Sequence, residues 1–192
     1  MPHKKKSKLK AIQKDAQVFA EAISAIIELD TFMVDENLIV VAGTGRFKKK
    51  VGTLEENGDL DAGYLYGRVI TTGKAEIVED AANDPLYDPS VEAGTVEELA
   101  EICCPIIGHD TVLGAISLVA LTKVQRHYLL SRKGRFLVFI LRMSQLLASN
   151  AIEADALQNN IIVTRQLRTI IESIDNAMLS VDKNGTILQC NA

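Results

Sequence analysis

The sequence of 192 residues has no tryptophan, four prolines, three cysteines and only 5% aromatic residues. Each scarcity removes a class of protein. The cysteine count is odd, with Cys103 and Cys104 adjacent and Cys190 far along the chain, which is no framework for a disulfide-stapled secreted domain and fits a reducing cytoplasm. His3, His109 and His127 are scattered and no C-x-x-C occurs, so a structural metal site lacks ligands at workable spacing and none is expected. Neither a G-x-x-x-x-G-K-[ST] loop nor a complete dinucleotide loop is present, because Gly43-Thr44-Gly45 lacks its third glycine. This segment is therefore not expected to be an ATPase. Met1 to Lys10 is rich in lysine but leads into no apolar region of a signal peptide. The longest uncharged apolar segment, 111–122, is about a dozen residues, short of the roughly 20 that a membrane helix needs. A net charge of -4 is the wrong sign for a chain dominated by nucleic-acid contacts. A cytoplasmic chain with no membrane contact and no direct nucleic-acid binding is expected.

What is present is a core. Hydrophobic residues make up 47% and charged residues 24%, enough for one complete domain and a piece of another. Ile12, Ala16, Phe19, Ala20, Ile23, Ile26 and Ile27 recur at helical spacing and predict an amphipathic helix over 9–29. Two β-favouring runs, 32–34 and 38–42, flank Asp35-Glu36-Asn37 and predict a hairpin, and 46–50 is a basic patch expected to be a solvated loop. A short helix over 63–72 stopped by Gly73 and a strand over 75–80 follow. Residues 81–95 hold Pro85, Pro89 and Gly94 and predict an irregular surface loop with a helical turn near 96–99. The runs 102–107 and 112–121 are apolar almost throughout, as in strands at the centre of a sheet covered on both faces, and Pro105 predicts a bulge or an edge-facing amide.

From Leu130 to about Ser173 helix signals run without a proline. Alternating steps of three and four from 140 to 171 collect Ile140, Met143, Leu147, Leu157, Ile161 and Ile171, with polar Asn150, Thr164 and Arg168 between them. That spacing resembles a heptad seam and predicts a homodimer through the long helix. The alternative is that 136–147 packs back on the sheet and the rest is a solvated connector. The runs 177–182 and 186–191, separated by Lys183-Asn184-Gly185, predict a hairpin that opens a second domain. Neighbouring strand residues face opposite sides, so only one of Cys103 and Cys104 can face a given pocket. In so apolar a run a cysteine is expected to act as a small buried hydrophobe, the alternative being a redox thiol.

The order helix, hairpin, variable helix and loop, apolar hairpin, long helix resembles a GAF sensor domain over about 9–150. Glu101-Ile102-Cys103-Cys104-Pro105-Ile106 followed by Leu113-Gly114-Ala115-Ile116-Ser117-Leu118 is similar to the GAF pattern of a strand ending in P-I and an L-G-x-I-x-L strand. The tail 167–192, with Val181-Asp182-Lys183-Asn184-Gly185-Thr186-Ile187 and Asn191-Ala192, resembles the opening of a PAS domain. This order, with ELAEICCPI in the first domain, resembles the amino-terminal region of sigma-54-dependent (RpoN-type) transcriptional activators. The resemblance implies an α+β fold with a GAF-like antiparallel sheet flanked by helices, a long signalling helix and the start of a PAS domain. The expected domains are a basic tail (1–8), the sensor (9–150), a helical linker or coiled coil (151–173) and the truncated PAS start (174–192).

It further implies a non-catalytic sensor of a small molecule, with a downstream AAA+ ATPase, a Fis-type helix-turn-helix DNA-binding domain and sigma-54 RNA polymerase as partners of the whole protein. The ligand cavity would draw on Tyr64, Tyr66, Arg68, Tyr87, Cys104 and Ser117, groups that suit a small, partly anionic or aromatic ligand; ordinary packing of a short helix is the plainer account of the tyrosines. No cofactor is named by the residues. The cysteine-rich loop of the family before ELAEICC has no counterpart here, since 85–96 holds no cysteine. The alternatives are a thiol-based GAF oxidoreductase similar to free methionine sulfoxide reductase, with Cys190 left as the resolving thiol, and a GAF–PAS sensor of a histidine kinase or cyclic-dinucleotide enzyme.

Overall fold

The computed structural model describes residues 7–91, 94–172, 179–181, 183 and 186–190. The chain divides into two compact units, Met1–Ile152 and Glu153–Ala192. The first unit is built on five strands: β1 (Asp30–Asp35), β2 (Val40–Gly43), β3 (Glu76–Val78), β4 (Ala100–Gly108) and β5 (Thr111–Ala120). They pair antiparallel in the order β2-β1-β5-β4-β3. β5 lies at the centre, and all its residues from Leu113 on are buried, which is why its sequence is apolar on both faces rather than alternating. Pro105 lies beyond the three residues of β4 that β3 pairs, Glu101 to Cys103, and the β4–β5 register slips between Ile106 and Ile107. Both devices expected of that proline, an edge position and a bulge, are present.

Helix signals at the amino end resolve into two helices, α1 (Lys8–Ala11) and α2 (Gln13–Ile27), rather than the single one expected. Ile12 breaks them at φ -107° and ψ 26°, and the Ser7 hydroxyl oxygen caps α1 by accepting from the Lys10 amide at 3.2 Å. α2 turns Ala16, Ala20, Ile23 and Ile27 inward and packs on β1 and β2. α3 (Leu65–Thr72) packs on β4 and β5 and ends at Gly73, whose φ of 65° needs the left-handed region. The expected helical turn at 96–99 is instead a short 3-10 turn at Ala81–Asn83. α4 (Lys123–Ser131) begins earlier than position 130, and the reason was in the sequence: Thr122 and Gln125 form a reciprocal capping box.

After a break at Arg132, α5 (Lys133–Glu172) begins. Its first part belongs to the first unit, where Phe136, Ile140, Leu147, Ala148 and Ala151 are buried. Ile140 and Leu147 are therefore not free for an intermolecular seam; their spacing serves the domain's own core, as the packing-back alternative had it. Met143 is half-buried. The stretch Lys133–Gln166 is long and apolar enough to cross a membrane by length and composition, with 33% of its most apolar part buried in the chain. In the second unit, Leu157, Ile161, Ile162 and Val163 are exposed. β6 (Leu179–Val181) and β7 (Ile187–Cys190) pair antiparallel, with Leu179 opposite Cys190. The Asn184-Gly185 turn and the side chains of Arg168 and Ile171 lie outside the described residues.

Gly114 fixes where β5 meets β1. A Cβ there would lie 2.1 Å from the Val34 carbonyl oxygen, 2.9 Å from Asp35 Cα and 2.7 Å from Leu9 Cδ1. Two of these are backbone atoms within a paired strand and cannot swing away. Gly114→Ala is expected to cost on the order of 3 kcal/mol in urea unfolding. Gly134→Ala in α5, where a Cβ meets nothing within 4 Å, should leave stability unchanged or raise it slightly.

Candidate ligand cavity

A cavity of about 500 Å³ opens beside α3, within the range of small-molecule sites. Phe32 and Glu101 enter it from the sheet, Tyr66 from α3, and Arg46, Phe47 and Lys50 from the 3-10 turn Gly45–Lys50. Glu55, Glu56, the residues Tyr87 to Ser90, Thr95, Glu97 and Glu98 also line it. The turn sits hard against the end of β2: a Cβ on Gly43 would lie 2.8 Å from the Phe47 carbonyl oxygen. That closeness brings the Phe47 ring to 5.1 Å from Phe32, and Tyr66 stacks tilted on the other side of Phe32 at 5.5 Å.

Glu101 is the chemical centre. It occupies a buried position on β4 in a run otherwise apolar, and its exposure is 1%. The Tyr66 hydroxyl donates to its Oε1, and the Tyr87 hydroxyl donates to Oε2 at 2.6 Å. Ser117 Oγ, from β5, stands 2.9 Å from the Tyr66 hydroxyl. Burial pushes the Glu101 carboxyl up to about 7, against the pull of the Ser117, Tyr66 and Tyr87 hydroxyls. Glu56 caps α3: its Oε1 accepts the Tyr66 amide at 2.6 Å and its Oε2 accepts the Gly67 amide at 2.8 Å. Burial also pushes Glu56 up to about 7, although both amides favour its charge.

The two lining cations are spoken for. Arg46 is held by Glu97 and Glu98, and Lys50 Nζ lies 2.8 Å from Glu55 Oε1. The basic patch is solvated as expected at Lys48, Lys49 and Lys50, with Arg46 half-buried, and Arg46 and Lys50 also line the cavity.

Of the residues expected from the sequence, Tyr66 and Tyr87 line the cavity and Ser117 stands behind Tyr66. The others do not line it. Tyr64 is half-buried at the start of α3, where its carbonyl accepts the Arg68 amide. Arg68 is committed to Glu76 on β3, with Nη2–Oε2 at 2.7 Å, and its Nη1 donates to the carbonyls of Gly63 and Leu86 at 2.6 Å each. It thereby ties the 81–95 loop to α3. Cys103 packs in the apolar cluster beside Tyr66 and Tyr87, whereas Cys104, its strand neighbour, is not part of that cluster and does not line the cavity. Both thiols are buried. Burial pushes Cys104 up to about 12 and Cys103 well above its ordinary value, which leaves little thiolate near neutrality. Among the described residues no group of three or more His, Cys, Asp or Glu is set to hold a metal ion.

Sequence reasoning passed over Glu101, Glu56, Arg46 and Lys50. One signal was available for the first of these. A glutamate between Ala100 and Ile102, inside a strand apolar on both faces, must either be paired or be functional.

A central antiparallel sheet with an open cavity beside α3 is the architecture of a sensor-type domain. Residues 13–137 match the GAF domain family designated GAF_2, and the chain belongs to the GAF domain family. Among solved structures, the fold is similar to the GAF domain of a phosphoenolpyruvate-protein phosphotransferase from Coxiella burnetii (TM-score 0.56, 19% identity, covering 77% of this chain and 86% of that one). It is also similar to the nlh2 GAF domain of A. aeolicus in an inactive state (TM-score 0.52, 14% identity, covering 71% and 82%). In sequence the chain is 29% identical over 181 residues to UacR of Escherichia coli (strain K12), named as a uric acid sigma-54-dependent transcriptional regulator. The match covers 94% of this chain and 30% of that protein, so the chain spans less than a third of its relative's length.

The two raised carboxyls make stability depend on pH. Their ordinary value is 4.5 and both stand near 7 in the folded chain, so between these values the folded state holds protons that the unfolded state has released. Stability is therefore fully present below the unfolded value and falls as pH rises through about 7. Glu101→Gln, which keeps an acceptor and a donor for the two tyrosines, should cut the loss of melting temperature between mildly acid and mildly alkaline pH by roughly half, Glu56 supplying the remainder.

Proposed function

We propose that this chain is the sensory segment of a sigma-54-dependent transcriptional regulator, holding a small molecule in the cavity beside α3. The carrying observation is the extent of the match to UacR. At 181 aligned residues it exceeds the whole first unit, which ends at Ile152, and so takes in more than the GAF domain. The second unit is read as the beginning of a PAS domain, its β6–β7 pair being too small to stand alone. A downstream AAA+ ATPase, a DNA-binding domain and sigma-54 RNA polymerase belong to this reading as the output and partners of the whole protein. The segment itself does no chemistry: the buried, high-pKa thiols argue against a thiol oxidoreductase. Its place in the cell is the cytoplasm.

The signal is a population shift. The 81–95 loop is pinned through Tyr87 to Glu101 and through Leu86 to Arg68, and a ligand that prefers one arrangement of this loop biases the domain between two packings. The homodimer forms through α5 by its exposed residues in the second unit, Leu157 and Ile161, with Ile171 continuing the spacing.

Native mass spectrometry of the purified chain should show a dimer, with a copurified small molecule or with one added from a panel that includes uric acid, for which the relative is named. Leu157→Asp combined with Ile161→Asp should weaken self-association by about a hundredfold and leave the melting of the first unit unchanged. A wild-type monomer, or a dimer indifferent to both substitutions, would remove the helical interface from this reading.

A further inference from the structure

The lining of the cavity is lopsided in charge. Glu55, Glu56, Asp88, Glu97, Glu98 and Glu101 face two cations, Arg46 and Lys50. Both cations are bound by carboxylates of the same lining. An anion entering would find each positive group already neutralised and would bring its own charge against the excess of carboxylates, a like-charge juxtaposition that costs several kcal/mol when desolvated.

The hydrogen-bonding inventory leans the same way. The hydroxyls of Tyr66 and Tyr87 donate to Glu101, and the amides of Tyr66 and Gly67 donate to Glu56. A carboxylate oxygen has room for two donors, whereas a tyrosine hydroxyl has one proton to give. These four donors are thus spent within the lining, while the carboxylates that take them keep acceptor capacity. A ligand that satisfies this site must bring N–H or O–H groups of its own.

A third observation is that two cations, Lys50 and Arg46, already stand over the aromatic rings of the wall. The Lys50 ammonium stands 5.7 Å from the Phe32 ring centroid and 5.9 Å from that of Phe47, while the Arg46 guanidinium stands 5.1 Å from the Phe47 centroid. The ring faces that form the apolar wall already attract positive nitrogen. The chain's own side chains act out, in miniature, the recognition of a nitrogenous cation.

We infer that the cavity takes a small planar nitrogenous cation, of the amidine, guanidine or protonated amino-heterocycle class, and discriminates against anions of the same shape. Its flat face lies on the aromatic wall and its N–H groups point to the lining carboxylates. Of the partly anionic or aromatic ligand expected from the sequence this keeps the aromatic character and departs from the anionic one, and it rests on the reading of the cavity as the sensing site.

The test uses three molecules that share one ring and differ in charge: benzamidinium, benzamide and benzoate, with urate as a fourth probe. Each is titrated into the purified 192-residue chain by calorimetry, with melting temperature as a second readout. Benzamidinium is expected to bind at least about tenfold more tightly than benzoate, with benzamide between them. Glu97→Gln combined with Glu98→Gln frees Arg46 and removes two acids, so the preference should narrow or reverse; circular dichroism checks that this variant still folds. Benzoate or urate binding as tightly as benzamidinium would overturn the charge inference while leaving a ligand-binding sensor standing. A preference that the double variant does not move would overturn it as well. If none of the four probes binds, the inference is overturned, and the sensing role is then judged separately by whether native mass spectra of the same preparation carry a copurified molecule.

Discussion

One buried carboxylate holds the sensor domain's chemistry in place. Glu101 belongs to the sheet, yet its two oxygens accept hydrogen bonds from a helix residue, Tyr66, and a loop residue, Tyr87. A charge so deep costs several kcal/mol unless its lone pairs are filled, and the tyrosine hydroxyls reach it only if α3 and the 81–95 loop stand where they do. The requirement runs outward from there. Tyr66 is placed by Glu56, which receives its amide, and the loop is placed by Arg68, which receives its direction from Glu76. Removing Glu101 would leave the buried hydroxyl of Tyr87 without this partner.

The cavity exists because this polar network and the aromatic wall meet at an angle. Phe32, Phe47 and Tyr66 supply flat apolar surface, and the carboxylates rim it. Neither part alone would recognise much, since apolar walls accept many shapes and exposed acids attract any cation. In this cavity the two stand side by side, and the ion pairs Lys50–Glu55 and Arg46–Glu98 engage both lining cations.

Most of the fold was legible in the sequence because its signals are local. Period-two and continuous apolar runs located β1, β2, β4 and β5, Gly73 stopped α3, and Pro105 announced its edge position. The misplacements have physical causes. The break at Ile12 follows no proline or glycine, so periodicity carried one helix through it. The spacing of Ile140 and Leu147 suits a heptad seam and a domain core equally well, and only three-dimensional packing decides between them. The site was less legible because its members come from four separate stretches of chain. Tyr66, Tyr87 and Ser117 were reachable through family resemblance, but Arg46 and Lys50 looked like plain surface charge, and only the turn at Gly45–Lys50 brings these still partly exposed side chains to the mouth of the cavity.

β3 pairs with only three residues of β4, so no described strand pairs with the outer flank of that long strand from Cys104 onward. An unpaired flank is a template on which another chain can lay down a strand and begin an aggregate. Pro105 stands on it without an N–H to offer, and the register slip just beyond twists the remainder out of line. The residue that makes β4 an irregular strand also keeps it from recruiting foreign ones, a useful safeguard for a domain whose most apolar segments are its two longest strands.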